Sequence, residues 1–321
     1  MRVERLDQGQ ICAVIVTYHP DDGLPGRVAR IAQQVGAVVI VDNHSSDEPL
    51  RMLRELCERS ATVDLIANGE NRGVAAALNQ GIQWARARGY AWALTLDQDT
   101  IPMDGLVATL GAVYEDARTT KTIAVIGSNY VDGDAECQDV RWRAGDDNAR
   151  GWIETATVLT SGSAVSLSAF EAIGPFRDEL FIDHVDHEYC LRARARGFSV
   201  IFAREPGMTH SIGAATKHRL LWKELRTENH PVHRWYFTSR NLTVVVRQYW
   251  RREFRWALAA AVWHLKMTFV MALFEEERLA KLREATTGVW DGLRGRLGGY
   301  RGAAIPERPE PSCEGSAHRG G

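Results

Sequence analysis

From Ile11 to about Gly127 this 321-residue chain alternates short β-branched runs with amphipathic stretches, and that rhythm most constrains its fold. Runs at Ile11–Val16, Ala37–Val41, Val63–Ile66, Ala91–Leu96 and Ile123–Ile126 have the length and composition of strands. Between them, Leu24–Val35, Pro49–Glu58, Val74–Arg88 and Met103–Ala117 carry helical periodicity, with Ser45, Ser46 or Asp47 before Pro49 as a start signal. Strands joined through helices lie parallel, so the expectation is an α/β fold with a mostly parallel central sheet flanked by helices. A content of 45% hydrophobic residues supplies the core.

Beyond this front half, Val131–Ile153 is rich in Gly, Asp and Arg and reads as a loop or hairpin excursion. Thr155–Leu159 then reads as a strand, Ser168–Ile173 as a short helix, Asp186–Arg196 as a helix closed by Gly197, and Phe198–Phe202 as a strand. After Pro231 the composition turns to Trp, Arg and aliphatics. Phe254–Phe274 is nearly long enough to span a bilayer, but Arg255, His264 and Lys266 interrupt it. An interfacial helix fits it better than a spanning one, against the alternative of an ordinary core helix or a contact between subunits of a homo-oligomer. Gly299–Gly321 has the composition of a disordered tail.

A formal net charge of −2 gives no nucleic-acid footprint. Cys12, Cys57, Cys137, Cys190 and Cys313 are scattered singly, with no zinc spacing, as in a cytoplasmic protein with reduced thiols. Met1–Gln10 holds charges and no apolar h-region, so secretion is not expected. The expected site of action is the cytoplasm, with peripheral contact at the inner face of the cell membrane if the 254–274 helix is interfacial.

Ligands of open α/β sheets sit beyond the carboxyl ends of the strands, so the residues following each strand run belong together. The fourth run ends in Asp97-Gln98-Asp99. If the strand continues that far, alternation points both carboxylates the same way, and hard oxygen donors of this kind select Mg2+ or Mn2+, ions that enter sites carrying phosphates. Thr17-Tyr18 follows the first run, Asp42 the second, and Asn68 to Arg72-Gly73 the third. Tyr18 can stack on a base, Asp42 can accept from a base or ribose, and Arg72 is a planar phosphate donor. Singly, each has a plainer reading as loop packing, a cap or a surface charge; together they point to a nucleoside diphosphate.

The series Val16-Thr17-Tyr18, Val41-Asp42-Asn43, Asn71-Arg72-Gly73 with Ala76, Asn79 and Gly81, and Leu96-Asp97-Gln98-Asp99 resembles the successive motifs of family 2 inverting glycosyltransferases of GT-A fold. Thr160-Ser161-Gly162-Ser163, Ile173-Gly174-Pro175-Phe176, Leu180 to Glu188, and Leu191-Arg192 resemble the rhamnosyltransferase branch, and the similarity covers about residues 11–245. It implies that Thr17, Tyr18 and Asp42 hold the nucleobase, Asn71, Arg72 and Gly73 lie by the nucleotide, Asp97 with Gln98 approaches the ribose, and Asp99 binds a divalent metal. His210 matches a histidine that completes metal or diphosphate binding. Asp186 falls at the base position when Tyr189 and Leu191-Arg192 are aligned with the family pattern, Asp183 and Gly162 fall on the acceptor side, and Glu188 is left as a solvated or salt-bridged charge. If this segment is helical, Asp183 and Asp186 share a face while Glu188 is turned about 200° from Asp186.

The implied organisation is a catalytic unit over 1–230, with a nucleotide half at 11–127 and an acceptor half at 128–230, then a helical region at 231–298 and a tail at 299–321. The implied reaction transfers L-rhamnose from dTDP-β-L-rhamnose to a glycan or lipid-linked acceptor in bacterial surface polysaccharide synthesis. Val131–Gly151 and Ser211–Arg234 are candidates for a lid. His230, His233, Arg234, Arg240 and Asn241 are candidates for diphosphate or an anionic lipid carrier, against a solvated basic helix. One rival enzyme reading takes Asp97-Gln98-Asp99-Thr100 as the nucleophile motif of a haloacid-dehalogenase-like phosphatase, although that motif normally ends the first strand. The other rivals are a transferase-like binding protein without activity and a dinucleotide oxidoreductase, the latter lacking G-x-G-x-x-G after the first strand.

Overall fold

The computed structural model describes residues 5–132, 151–210, 216–220, 223–227 and 229–300. Its front half follows the alternating rhythm: β1 (Ile11–Thr17), α1 (Leu24–Ala32), β2 (Ala37–Asp42), α2 (Asp47–Glu58), β3 (Val63–Ala67), α3 (Gly73–Ala87) and β4 (Trp92–Asp97). These four strands lie parallel in the order β3-β2-β1-β4. Strands β1 and β2 are buried throughout, which is why they read as continuous apolar runs and not as alternating ones. Ile11, Ala13 and Ile15 of β1 join the core beneath α1, while Cys12, Val14 and Val16 join the core beneath α3.

The chain continues through β5 (Ile101–Pro102), α4 (Leu106–Ala117), β6 (Ile123–Asp132), β7 (Trp152–Glu154), β8 (Ser163–Ser166), α5 (Leu167–Ile173), α6 (Val185–Ala195) and β9 (Ser199–His210). Strand β8 is inserted antiparallel between β4 and β6, and β9 lies parallel to β6 on the far side. Strands β5 and β7 pair antiparallel with β9, so the sheet is mixed where a mostly parallel one was expected, with four parallel strands at the β3 end and the parallel pair β6–β9 beyond the inserted β8.

Two expectations about individual elements need correction. Thr155–Leu159 is not a strand; the ladder position falls instead to β8, a four-residue segment with serine at both ends that carries too weak an apolar pattern to be read. The Val131–Ile153 excursion is shorter than expected, because β6 runs on to Asp132 and β7 begins at Trp152. Residues 133–150 lie outside the described residues, as do 211–215, 221, 222 and 228 of the two lid candidates and residues 301–321 of the tail.

A separate antiparallel ribbon, β10 (Thr216–Leu220) with β11 (Lys223–Thr227), precedes three helices, α7 (Val232–Tyr249), α8 (Phe254–Phe274) and α9 (Arg278–Leu293). Helix α7 runs along α9 and also touches α6. The helical region therefore leans on the segment that carries Asp186.

Candidate active site

The carboxyl ends of β1, β2 and β4 meet in one polar cluster. Asp42 is fully buried and anchors the β2–α2 turn: Thr17 and Ser45 donate their hydroxyls to Oδ1 at 2.9 and 2.5 Å, and the Ser45 amide donates to Oδ2 at 2.9 Å. Asn43 donates to the Gly73 carbonyl at 3.0 Å, and the Asn71 side chain accepts from the Gly73 amide at 3.0 Å, so the β3–α3 loop is fastened to β2. Arg72 stays exposed at the start of α3.

Gln98 ties β4 to β1. Its Oε1 accepts from the Tyr18 amide at 2.8 Å and its Nε2 donates to the Tyr18 carbonyl at 3.2 Å, while Arg27 donates to the Gln98 carbonyl at 2.7 Å. The strand does not run on to Asp99 as the alternation argument supposed. Thr100 N–H donates to the Asp97 carbonyl at 3.2 Å and closes a turn, leaving Asp97 half-buried and Asp99 exposed. His210 ends β9, and its side chain lies outside the described residues.

The turn before β8 joins this cluster to α6. Ser161 Oγ accepts from the Asp97 amide at 3.1 Å and lies 2.5 Å from the Thr100 hydroxyl. The preceding residue, Thr160, donates its amide to Asp186 Oδ2 at 3.1 Å, while the His187 amide donates to Asp186 Oδ1 at 2.7 Å. Two backbone donors thus fix the orientation of the Asp186 carboxylate and leave lone pairs on both oxygens. Thr95, Val158, Leu159, Thr160, Ser163 and Tyr189 line a small, mostly apolar hollow beside it. Gly162 holds the turn with φ +73, and a Cβ there would come within 2.5 Å of Met208 Sδ.

Asp183 is not on one helical face with Asp186. It precedes α6 with φ +62, next to Phe181 at +66 and His184 at +58, three left-handed residues that turn the chain sharply into the helix. Its carboxylate faces α7 instead: Arg234 approaches with Nη2 at 3.0 Å and Nε at 3.2 Å, and Thr238 donates at 2.7 Å. Burial alone would raise its pKa, but the Arg234 guanidinium and these hydrogen bonds hold it down at about 2. The neighbouring His184 is pushed down to about 3, first by burial and then by His187, whose Nδ1 lies 3.0 Å from its own.

The basic residues of α7 also depart from expectation. Arg240 is completely buried, with Nη1 on the Gly298 carbonyl at 2.6 Å and Nη2 on those of Glu179 and Leu180, and Asn241 donates to the carbonyls of Leu180, Ile182 and Asp183. They hold the Glu179–Asp183 loop in place and are not surface anion ligands. Glu188 is buried rather than solvated, paired with Arg192 at 3.0 Å and accepting from the Tyr249 hydroxyl at 3.0 Å.

Sequence reasoning passed over Thr160 and Ser161 as individuals, because what they contribute is an amide and a hydroxyl aimed by a turn. It also passed over Thr238. A threonine one helical turn after an arginine carries no signal until Asp183 is known to face it.

Residues 12–163 match the family model described as Glycosyl transferase family 2. The dTDP-rhamnosyl transferase RfbF of Shigella flexneri is 27% identical over 304 residues, covering 91% of this chain and 98% of that one. Among solved structures, the mannosyltransferase PcManGT from Pyrobaculum calidifontis, in complex with GDP-Man and Mn2+, superposes with a TM-score of 0.56 at 16% identity, over 88% of this chain and 87% of that one. S. aureus TarS superposes with a TM-score of 0.57 at 12% identity, over 89% of this chain and 49% of that one. At such identities these two structures speak for the fold.

Proposed function

Because the chain carries a family 2 glycosyltransferase domain of GT-A fold and is a glycosyltransferase, we propose that it transfers L-rhamnose from dTDP-β-L-rhamnose, with inversion, to a hydroxyl of a glycan or lipid-linked glycan. The choice of donor is supported by the relation to the Shigella flexneri dTDP-rhamnosyl transferase along nearly the whole of both chains. The observation that carries the mechanism is the attachment of Asp186 and the end of β4 to the consecutive residues Thr160 and Ser161.

In this reading Asp186 is the general base. Its carboxylate, oriented by the two backbone amides, takes the proton of the acceptor hydroxyl as that oxygen forms a bond to the anomeric carbon. The bond from that carbon to the phosphate oxygen breaks on the opposite face, and the nucleoside diphosphate departs. A β-L donor gives an α-L-rhamnoside. Transfer further requires that the sugar hydroxyl reach the anomeric carbon ahead of bulk water. Tyr18, Asn71 and Arg72 bind the nucleotide, with Tyr18 held in place by Gln98, while the fully buried Thr17 and Asp42 support the loop through their own hydrogen bond and do not reach the ligand.

The donor set at the end of β4 suits a divalent cation. Mg2+ and Mn2+ sites of nucleotide enzymes commonly use one or two carboxylates and take their other ligands from phosphates and water, and Asp97 with Asp99 supplies that number of carboxylates. Bound there, the ion would neutralise charge on the leaving diphosphate.

The decisive assay offers purified protein a panel of nucleotide sugars and determines the anomeric configuration of the product. Preferential consumption of dTDP-rhamnose with an α-linked product supports the reading; preference for a UDP-hexose, or retention, overturns it.

A further inference from the structure

Helix α8 is apolar along its whole length, yet only one side of it is covered. Ala257, Met267, Val270 and Met271 are buried, Met267 and Met271 packing with Trp235 of α7 and Ala285 of α9, and His264 lies 3.0 Å from the Ser239 hydroxyl. On the other side Phe254, Leu258, Val262, Leu265, Phe269 and Leu273 are each at least 44% exposed. At 100° per residue these six form a continuous stripe about 100° wide, running the full length of the helix. Scattered exposed leucines need no explanation, but an unbroken stripe of this size does.

Charge and aromatic placement identify the occupant. Arg251, Arg252, Arg255 and Lys266 are all exposed, and on a helical wheel Arg255 and Lys266 fall along one edge of the stripe. Two tryptophans, both about half exposed, carry cations over their rings, Arg251 over Trp250 at 5.4 Å and Lys266 over Trp263 at 5.0 Å. A wide apolar stripe rimmed by tryptophan and basic side chains matches the boundary between lipid headgroups and acyl chains. A coiled-coil seam between two copies of this chain would ask for a narrower line, without a flanking edge of cations. The exposed acids nearby, Glu276 and Glu277, lie beyond the last turn of the helix. A spanning helix fits less well, because α7 and α9, on which the Met267 side is seated, carry Arg, Lys, Glu and Asp along their length and would have to enter the bilayer with it.

The geometry points to α8 as the surface by which this protein docks on an anionic lipid bilayer, the helix lying in the interface with its stripe toward the acyl chains. The dock also adjoins the candidate site. Trp256, on the same helix, meets the His187 ring edge-on at 5.8 Å, and His187 directly follows Asp186. A bilayer-anchored acceptor would thus present its terminal hydroxyl near the base; this last step rests on the transferase reading, whereas the docking surface does not.

Flotation of the full chain with vesicles tests it without donor or acceptor, so the result is independent of the transferase reading. The protein is expected to float with vesicles of equal parts phosphatidylcholine and phosphatidylglycerol, less with phosphatidylcholine alone, and the Leu265→Glu/Phe269→Glu variant to partition at least about tenfold more weakly. Both positions are exposed, so far-ultraviolet circular dichroism should be unchanged. The charge variant Arg251→Glu/Arg252→Glu/Arg255→Glu should lose the preference for phosphatidylglycerol. Equal flotation of parent and Leu265→Glu/Phe269→Glu overturns the proposal, as does a parent that does not float. A parent dimer in light scattering that the same double variant converts to monomer, without any vesicle binding, overturns it in favour of a second copy of this chain.

Discussion

Thr160 donates its backbone amide to Asp186 Oδ2 at 3.1 Å, and the next residue takes the Asp97 amide on its hydroxyl. One turn therefore fixes the spacing between the proposed base and the donor-side carboxylates. An error in that spacing would be felt by the reaction even if both sites stayed intact.

The first prediction concerns the base. Asp186→Asn preserves shape and leaves an oxygen to accept from Thr160 or His187, but has no basic carboxylate for the acceptor proton. Initial rates should fall about 100-fold or more, while dTDP binding, followed by calorimetry, stays within about twofold of the parent. A variant that retains its rate would remove Asp186 from the role of base, and one that loses nucleotide binding would make Asp186 structural.

A second prediction follows from the junction of the two halves. Gly73 adopts φ +83, its Cβ position would lie 2.6 Å from the Phe181 carbonyl oxygen, and that same carbonyl accepts from the Val74 amide at 2.7 Å. Gly73→Ala should therefore both strain the backbone and push the Phe181 loop away, costing about 2 kcal/mol or more. Urea denaturation reads this directly. An unchanged midpoint would mean that the two loops are not in contact.

The parallel half was legible because buried parallel strands are continuous apolar runs; Asp42, Arg72 and Asp97 lie at or just beyond the strand ends where the pattern puts them, although Asp42 is sealed in hydrogen bonds to Thr17 and Ser45. The acceptor side was less legible for reasons that are also physical. Strand β8 takes its place from its neighbours and not from its own four residues. The orientation of Asp183 is decided by Arg234 and Thr238, more than fifty residues away, and by a run of left-handed backbone that no helical wheel anticipates. Arg240 looked like a surface cation and is a buried clamp, since only the folded chain brings the Glu179 and Leu180 carbonyls to it.

The third prediction is one of pH. His184 ionises near 6.5 in an unfolded chain but only near 3 in the fold, so the unfolded form binds the extra proton between those values. Its contribution to stability is complete above pH 6.5 and is lost progressively as pH falls toward 3. Asp183, depressed from 3.8 to about 2, adds a loss of the same sign only at the acid end of that range. The melting temperature of the parent should thus decline from neutrality down to about pH 4, and His184→Asn, which has no ring to titrate and tolerates the left-handed φ, should flatten the decline. Parallel curves for the two proteins would show that another group governs the acid limb.

The fourth prediction separates the cation from the protein's own contacts. If Asp99 engages a divalent ion together with the diphosphate, exhaustive chelation should abolish transfer, and Mn2+ or Mg2+ should restore it. Asp99 is exposed at the tip of a turn whose closure depends on Asp97, Thr100 and Ser161, so Asp99→Ala should leave the melting temperature nearly unchanged. Its effect should appear in binding. With Mn2+ present the variant should hold dTDP about tenfold or more weakly than the parent, roughly 1.4 kcal/mol, whereas with chelator present the two should bind alike. Equal affinities in both conditions would remove Asp99 from the metal site, and a difference that persists in chelator would make it a direct nucleotide contact.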